Sequence, residues 1–527
     1  MFIKTIRVHP AIGIARLGRS PEEYFIGPEV PACGTATSSR SVSTQKKMSV
    51  SEYRDSAGLL KRQAARFRLF AYDKKDRLIG EVTSKTANIT WKVHLKNTKA
   101  VGRRFEGLKR NTPYRNQRCK DRTQLELDPG EIKIQGRSAK KDFFCRGKFM
   151  GRWFHPPLKL GTVLTDENGR LLVLGGHGRS GTLTGAKLRD VRFYDFANQD
   201  GWYDDISDGS VKAKVRLKTG RRVEVIPAWV IVGPPKFAPE VQNVVTLFDT
   251  LYQIALENEA LKGALKRWKL LPRKKPSFTR DVYPILQRAS DVQWLFAQAN
   301  VGHHQQFQIS RARKDALYRQ HLFRQFRPPI VGPKQVGAGT GEMPYMWSDF
   351  YPKRITATLT PHQYGIMAAW AIGNFDDDWE SRRKSTQRIT PFGLDRAALE
   401  ACVGAPFSPG IEVGWKIRDE FKYCEPFRLD ARLAPGAITQ QMSIPWQSDF
   451  VDCRDESPYA WWPAQRPIDV IREVPVGRAL PPFLRWARKF GFPGSIDLSV
   501  REMIRDADRL GLLKRVGNFI VEYGRQD

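Results

Sequence analysis

The chain has 527 residues, a length that predicts more than one hydrophobic core and roughly two to four domains, and its 41% hydrophobic and 27% charged residues are ordinary for a soluble globular protein. Its 88 Lys and Arg against 55 Asp and Glu give a formal net charge of +33, which predicts attraction to polyanions, although the basic residues form no zinc-finger, RNP-type or basic-zipper pattern. The sequence has no run of about 18 apolar residues, no apolar signal segment after Met1 and no C-x-x-C pair, so we expect no membrane span, classical export, disulfide framework or metal site.

The first part of the chain is predicted to be mostly β. Alternation of apolar and polar residues, or a short apolar run, predicts strands at residues 66–72, 88–95, 171–174, 211–217 and 223–226. These strands predict an antiparallel, β-rich N-terminal domain that ends near Pro234-Pro235, and we place its boundary at residues 1–240.

From Val241 the spacing becomes helical. Apolar residues from Val244 to Ile254 mark one face of an amphipathic helix, and residues 279–299 are predicted to be helical again. Residues 262–276 are basic and predict a surface excursion. Thr360-Pro361 is a typical helix start and Gly373-Asn374 a typical stop. We therefore predict an α+β fold, with a mixed, loop-rich C-terminal domain with several helices over residues 241–527.

Gly176-His177-Gly178-Arg179-Ser180-Gly181 matches the glycine spacing of a dinucleotide-binding loop and follows an apolar strand. The residues after it are of β type, so no helix N-terminus is available for a pyrophosphate. The segment is therefore predicted to be a turn.

Asp200-Gly201-Trp202-Tyr203-Asp204-Asp205-Ile206-Ser207-Asp208 concentrates carboxylates, but it lacks the spacing and terminal Glu of a calcium loop. The favoured interpretation is a turn rich in carboxylates.

Trp461-Trp462-Pro463 lies between Pro458 and Pro467, where neither a regular helix nor a central strand can run. Packing is the common role of tryptophan in such a loop.

Cys402 ends a short helical segment and is followed by a Gly/Pro-rich loop. A buried structural thiol is the common interpretation, and the absence of a neighbouring histidine disfavours a Cys-His nucleophile.

Taken in order, many segments of the chain resemble a family of amino-acid oxidases, of the L-lysine 6-oxidase and glycine oxidase type, whose cofactor is cysteine tryptophylquinone. The matching segments are residues 8–16, 24–29, 61–68, 172–176, 200–208, 227–239, 278–284, 399–416, 444–450 and 461–467. No single short motif is specific, whereas this many in order is.

The resemblance implies that the sulfur of Cys402 is bonded to Trp462 or Trp461, whose indole is also oxidised to an ortho-quinone. Trp462 is the first choice because it precedes Pro463. Lys416 falls where the family suggests a lysine that positions substrate; a surface lysine is an equally good interpretation.

The chemistry implied by the resemblance is oxidative deamination. A primary amine of the substrate reacts at the quinone and a base removes the proton of the adjacent carbon, for which Glu412, Asp449 and Asp452 are candidates by proximity in sequence. Dioxygen then restores the cofactor, with ammonia and hydrogen peroxide as by-products. Lysine, oxidised at its side chain, and glycine are the two substrate precedents.

The resemblance also implies a flavoprotein maturation partner and a homo-oligomer. One departure stands out: the family uses an acid one turn before the cysteine to assist cofactor formation, and this chain has Ala398 there, with Asp395 and Glu400 as neighbours. A non-catalytic relative that uses its positive charge to bind nucleic acid or anionic surfaces is therefore the alternative. We expect a protein that is cytoplasmic at synthesis, with non-classical export left open.

Overall fold

The structure is a computed structural model, and it describes residues 2–31, 37–38, 48–103, 114–145, 148–149, 152–153, 157–182, 199–297, 299–300, 307–329, 358–379, 388–404, 412–452, 465–477, 479–488 and 496–526. Within them, a large sheet forms the N-terminal part and helices with short hairpins form the rest. The predicted α+β fold class is confirmed. None of the described helices is long and apolar enough to cross a membrane.

Strands fill the first part of the chain. In chain order they are β1 (Thr5–His9), β2 (Ile12–Arg16), β3 (Tyr24–Ile26), β4 (Thr37–Ser38), β5 (Arg62–Tyr72), β6 (Leu78–Val82), β7 (Ala87–Lys96), β8 (Ile132–Gln135), β9 (Lys140–Cys145), β10 (Lys148–Phe149), β11 (Arg152–Trp153), β12 (Leu158–Thr165), β13 (Leu171–Gly175), β14 (Ser180–Thr182), β15 (Trp202–Asp204), β16 (Ser207–Leu217), β17 (Arg222–Ile226) and β18 (Ala228–Gly233). All five strands expected from the sequence are present, in most cases longer than predicted.

The main sheet closes on itself. Its pairings run β1-β17-β16-β18-β2-β5, and β5 pairs with β1 again, so that these strands form a closed circuit. The parallel pairs of β1 with β17 and of β2 with β18 bring the two ends of the N-terminal region together, because β17 and β18 follow β1 and β2 by about 200 residues of sequence. The sheet is mostly antiparallel, as predicted, except for these pairs and that of β3 with β5.

The C-terminal part contains α1 (Leu247–Glu257), α2 (Glu259–Arg267), α3 (Tyr283–Asp291), α4 (Ile309–Lys314), α5 (Ala316–Phe323), α6 (Pro361–Ala371), α7 (Pro391–Glu400), α8 (Trp446–Asp452) and α9 (Ile496–Asp506). Short strands pair as β19 (Tyr423–Glu425) with β20 (Arg428–Leu429), β21 (Asp469–Val470) with β22 (Leu484–Arg485), and β23 (Leu512–Val516) with β24 (Phe519–Tyr523).

The first predicted helix begins later than expected. Val244 and Val245 are buried, but they precede α1, whose first turn is capped by Thr246 in a capping box with Asp249. Their side chains pack in a hydrophobic cluster with Phe278 and Val282, and the Gly404 N–H donates to the Val245 carbonyl at 3.0 Å. Helical periodicity was the wrong interpretation of these two positions.

Residues 262–276 are only partly a surface excursion. Their first residues belong to α2, which ends at Arg267, and the basic segment that follows is mostly exposed. The predicted helix at residues 279–299 is present as a π-helical turn at Phe278–Val282, then α3 and a 3-10 turn at Val292–Trp294.

The helix predicted from Thr360 is confirmed in detail. Thr360 caps α6 in a capping box with Gln363, Pro361 is the first helical residue, and Gly373 adopts φ +83° after the helix ends. Local signals were sufficient here because both ends of the helix are encoded by residues within the helix or next to it.

One hydrophobic core joins the two parts of the chain. It includes Val93 and Val230 from the sheet, and Ile444, Trp446 and Leu512 from the C-terminal region. The proposed boundary near residue 240 stays a prediction.

The glycine-rich segment after β13 is a turn, as predicted. Gly178 adopts φ +72°, and β14 rather than a helix follows. His177 is half-buried, and burial together with Arg62 and Lys159 lowers its pKa to about 4. Burial and, after it, the nearby cations therefore keep this histidine neutral at physiological pH.

The acidic segment at residues 200–208 is not an exposed turn, which corrects the prediction. Asp204, Asp205 and Asp208 are fully buried at β15 and the start of β16. Asp204 accepts hydrogen bonds from Lys99 Nζ at 2.5 Å and from the Trp446 N–H at 2.9 Å. Asp204 and Asp208 join the C-terminal chain to the sheet, whereas Asp205 accepts from the Arg179 N–H. Among the described residues no group of His, Cys, Asp and Glu is arranged to hold a metal ion.

Asp208 is the most heavily used of these carboxylates. It accepts hydrogen bonds from Trp229 Nε1 at 2.9 Å, from the Thr439 N–H at 2.8 Å, from Thr439 Oγ1 at 2.6 Å and from the Ile438 N–H at 3.3 Å. Burial raises its pKa, although all of these donors act in the opposite direction. One side chain therefore joins β16, β18 and the C-terminal chain.

Replacing Asp208 should destabilise the fold strongly. Asp208→Ala leaves buried donors without acceptors, and we expect it to lower the free energy of unfolding by about 3 kcal/mol or more. The matched control is Thr439→Val, which removes one hydroxyl donor and should cost about 1 kcal/mol. Urea titrations followed by circular dichroism measure both, and equal losses for the two variants would contradict this account of Asp208.

Candidate active site

Cys402 lies at the end of α7, as predicted. Thr390 caps this helix, Pro391 is its first residue, and the Cys402 N–H donates to the Leu399 carbonyl at 3.1 Å in the last turn. The Cys402 carbonyl accepts from the Leu247 N–H at 3.1 Å, so α7 and α1 meet at the cysteine. The thiol is fully buried and donates to the Ala398 carbonyl at 3.5 Å.

Arg16, the last residue of β2, reaches this point from the sheet. Its Nη2 lies 2.8 Å from Glu412 Oε1, 3.2 Å from the Ala401 carbonyl and 3.7 Å from Cys402 Sγ. Arg16 and Glu412 are almost completely buried, so the ion pair lies in a region of low dielectric constant. The guanidinium thereby connects the proposed cofactor cysteine with a carboxylate.

Glu412 is held from several sides. Besides Arg16, it accepts hydrogen bonds from Gln465 Nε2 at 2.5 Å and from the Val403 N–H at 3.3 Å. Gly233 faces it, and a Cβ atom there would approach Glu412 Cγ to 3.3 Å. The carboxylate is fixed in one orientation beside Cys402.

Lys236 is a second buried cation at the site. Its Nζ donates to the Ala401 carbonyl at 3.3 Å. Burial, and then Arg16, lower its pKa to about 8, although Glu412 and Cys402 act to raise it. Lys236 is therefore close to its titration midpoint in mildly basic solution.

The surroundings keep Cys402 in its thiol form. Burial, and then the charge of Glu412, raise its pKa to about 12, and the opposing effects of Arg16 and Lys236 are smaller. At neutral pH the sulfur is not a free thiolate.

Gln465 connects the site to the tryptophan segment. Its side-chain Nε2 contacts Glu412 and lies 3.4 Å from the Ala401 carbonyl. Its backbone carbonyl accepts from the Phe237 N–H at 3.0 Å. Trp461 and Trp462 lie outside the described residues. Gln465 is the first described residue after them.

Two other predicted site residues, Lys416 and Asp449, have partners of their own. Lys416, in the 3-10 turn Trp415–Arg418, donates from Nζ to Gln440 Oε1 at 2.8 Å. Asp449, in α8, is buried and pairs with Arg466 Nη1 at 3.4 Å. The last residue of α8 is Asp452, whose side chain lies outside the described residues.

Comparison with known proteins gives the family. The sequence matches the family L-Lysine epsilon oxidase N-terminal over residues 9–232, and the L-lysine epsilon oxidase C-terminal domain over residues 347–471. The chain belongs to this family. It is an amino-acid oxidase family, and the resemblance found in the sequence is confirmed.

An individual relative is the L-lysine 6-oxidase of Marinomonas mediterranea, which is 27% identical over 540 aligned positions, covering 85% of this chain and 71% of the relative. Two solved structures of the L-Lys epsilon-oxidase from Marinomonas mediterranea share the fold, one of them the Schiff base intermediate with L-Lys. Both have a TM-score of 0.75 and 22% identity over 99% of this chain, and the alignments cover 95% and 94% of the respective structures.

Sequence reasoning missed Arg16, Lys236 and Gln465. Arg16 and Gln465 fall within segments that carried the family resemblance, and Lys236 falls within residues 227–239, which also did. The sequence feature that could have pointed to them is a charged or amide residue at the end of an apolar strand or beside prolines. Such a residue gains a role only through contacts hundreds of positions away.

The substitutes considered for the acid at position 398 are engaged elsewhere. Asp395 accepts hydrogen bonds from the Ala11 N–H at 2.6 Å and lies 2.9 Å from His9 Nδ1. Glu400 pairs with Arg396 Nε at 2.6 Å. Glu412, which belongs to another segment, is the carboxylate joined to Cys402 through Arg16.

A double-mutant cycle should detect the coupling between Arg16 and Glu412. Arg16→Met and Glu412→Gln each leave a buried partner without its counter-charge, so each should cost about 3–5 kcal/mol, and the double variant should cost clearly less than the sum. The control pair is Lys61 and Glu23, which lie 2.9 Å apart but are partly exposed, and it should contribute below about 1 kcal/mol. Urea unfolding measures both cycles; equal coupling energies would refute the buried pair's special role.

Proposed function

We propose that this protein oxidatively deaminates an amino acid with dioxygen, releasing ammonia and hydrogen peroxide, through cysteine tryptophylquinone formed from Cys402 and Trp462, with Trp461 as second choice. The observation that carries the proposal is the contact of Gln465 with Ala401 and Glu412. It ties the end of the tryptophan segment to the residues beside Cys402.

Covalent geometry makes this contact informative. Three residues of extended chain span at most about 11 Å, and Trp462 precedes Gln465 by three positions. Because Gln465 touches the residue next to Cys402, its chain neighbours have a short distance to cover to the sulfur. The same argument applies to Trp461, which precedes Gln465 by four positions. The preference for Trp462 over Trp461 therefore still rests on the resemblance.

The residues around Cys402 fit such a group. A cross-linked indole needs a reduced, buried cysteine without a disulfide partner, and Cys402 is a free, fully buried cysteine. The cofactor would supply an electrophilic carbonyl for the substrate amine and accept the electron pair that leaves the carbon. The protein must exclude water and hold acids and bases in fixed positions around it.

We assign these roles to the buried cluster. Glu412 is the candidate base whose contacts connect it to Cys402, and Arg16 and Gln465 hold its carboxylate in place. Asp449 and Asp452 remain further candidates. Lys416, held by Gln440, is proposed to position substrate.

The relatives described above are L-lysine oxidases, so we propose L-lysine as the substrate first, with glycine second. The proposal includes a flavoprotein that installs the quinone oxygens, a homo-oligomeric assembly and synthesis in the cytoplasm.

Mass spectrometry tests cofactor formation. Protein co-expressed with its flavoprotein should yield a cross-linked peptide pair that contains Cys402 and the Trp461-Trp462 segment, with the mass of the quinone oxygens added and that of the displaced hydrogens lost. Cys402→Ser is the control, because it removes the sulfur while keeping a side chain of similar size, and it should show no cross-link. Unlinked, unoxidised peptides from the wild-type protein would refute the proposal.

Peroxide release separates the two tryptophans and the two functions. Across a panel of amino acids, the wild-type protein should release hydrogen peroxide with L-lysine or glycine. Trp462→Phe should abolish release, whereas Trp461→Phe should keep a measurable rate because it changes only a packing residue. The reverse result would assign the cofactor to Trp461. No peroxide from any amino acid, together with nucleic-acid binding that falls steeply with salt, would favour the non-catalytic alternative.

A further inference from the structure

We propose that a cleft beside Cys402 binds the carboxylate of the amino-acid substrate, and that Lys236 is the cation that holds it. This inference rests on the proposed function, which it deepens by giving the recognition of the substrate a place and a residue. Both lysine and glycine carry a carboxylate, although it lies much closer to the reacting amine in glycine than in lysine, so the proposal concerns the carboxylate of whichever of them is the substrate.

The cleft lies between the sheet and the loop that follows β18. It is open to solvent, and its empty space together with the adjoining open solvent is about 450 Å³. Its walls are mostly apolar, with Leu17, Phe25 and Leu60 among them, and its basic lining residues are Arg16, Lys61 and Lys236. A mostly apolar pocket with a few convergent charges is the usual form of a small-molecule site.

The three cations of the cleft differ in their partners. Arg16 is paired with Glu412 at 2.8 Å, and Lys61 with Glu23 at 2.9 Å. Lys236 is more than nine-tenths buried, and within the described part of the chain it donates to a backbone carbonyl and forms no ion pair. A buried ammonium with three donors and one neutral acceptor is poorly compensated, and an anion in the cleft would correct this.

The inner end of the cleft adjoins the proposed cofactor. Ala401 lines the cleft, accepts the hydrogen bond from Lys236 and directly precedes Cys402. Arg16 also lines it and reaches Cys402 Sγ at 3.7 Å. A carboxylate held at Lys236 therefore fixes one end of an amino acid close to the residue that carries the chemistry.

Titration of Lys236 gives the subsite a pH dependence. Arg16 and Arg288 lower its pKa, Glu412 and Cys402 raise it, and burial, the largest effect, brings it to about 8. An anion binds the ammonium and not the neutral amine. Binding should therefore be strong below pH 8 and decline as the pH rises through that value, and the bound anion should itself raise the pKa.

The experiment compares Lys236→Met and Lys236→Arg in the mature enzyme. At saturating dioxygen we expect Lys236→Met to raise the KM for the amino acid about tenfold or more, with a smaller change in kcat, and Lys236→Arg to restore part of the loss. A substrate analogue that keeps the reacting amine but lacks the carboxylate should react equally with the wild type and with Lys236→Met. Lys92→Met, which removes a lysine paired with Glu131 on β7 and β8, is the control and should leave KM unchanged.

A binding measurement does not depend on turnover. Isothermal titration with acetate at constant ionic strength should show binding to the wild type that weakens above pH 8, and none to Lys236→Met. If Lys236→Met fails to fold, the acetate titration of the wild type and the KM of Lys236→Arg decide, and absence of acetate binding overturns the proposal.

Three further results would also overturn it. The first is an unchanged KM for the amino acid in Lys236→Met. The second is a selective loss in kcat/KM for dioxygen, which would place Lys236 in oxygen reduction. The third is loss of the cross-linked mass, which would place Lys236 in cofactor formation. A wild-type protein without cross-link or peroxide would overturn the proposed function, and the acetate titration would still test the cleft.

Discussion

The buried ion pair of Arg16 with Glu412 is the constraint on which the site depends. Arg16 ends a strand that is paired on both sides in the closed sheet, so its position is fixed by the sheet. Glu412 belongs to the C-terminal part of the chain, and the pair spans 396 positions of sequence. Moving either side chain into water would leave the other charge buried without its counter-charge. The pair therefore fixes the register of the C-terminal chain on the sheet at the place where Cys402 lies.

Part of the large positive charge is used inside the protein. Arg115, Arg16 and Arg428 are almost fully buried and donate to backbone carbonyls, those of Lys99 and Met442 for Arg115 and that of Pro227 for Arg428. A guanidinium has five donors in a fixed fork, so it can satisfy several carbonyls where irregular chain crosses the sheet. These buried arginines still count in the net charge of +33, but their guanidinium groups are not available for direct contact with a polyanion.

Sequence reasoning was reliable where structure is encoded locally. The alternating strands and the helix capped by Thr360 were predicted because each depends on residues a few positions apart. Val244 and Val245 were misread because they pack against Phe278 and Val282, which follow about 30 residues later. Asp204 and Asp208 were misread because their partners include Lys99 and residues after 437. Glu412 was predicted only by proximity to Cys402, and Arg16, Lys236 and Gln465 were not predicted, since no periodicity relates residues on separate elements.

Ala398 marks a local difference from the family pattern, and tertiary contacts place another carboxylate near Cys402. An acid at that position would reach the sulfur from within α7, one turn before it, as i and i+4 neighbours do on a helix. Here the Cys402 thiol instead donates to the Ala398 carbonyl, and the nearby carboxylate arrives from outside the helix, oriented by Arg16, Gln465 and the Val403 N–H. A carboxylate held by tertiary contacts depends on the whole fold, whereas one on the same helix depends on a single turn. The carboxylate beside Cys402 is thereby the same one that pairs with Arg16 and joins the C-terminal chain to the sheet.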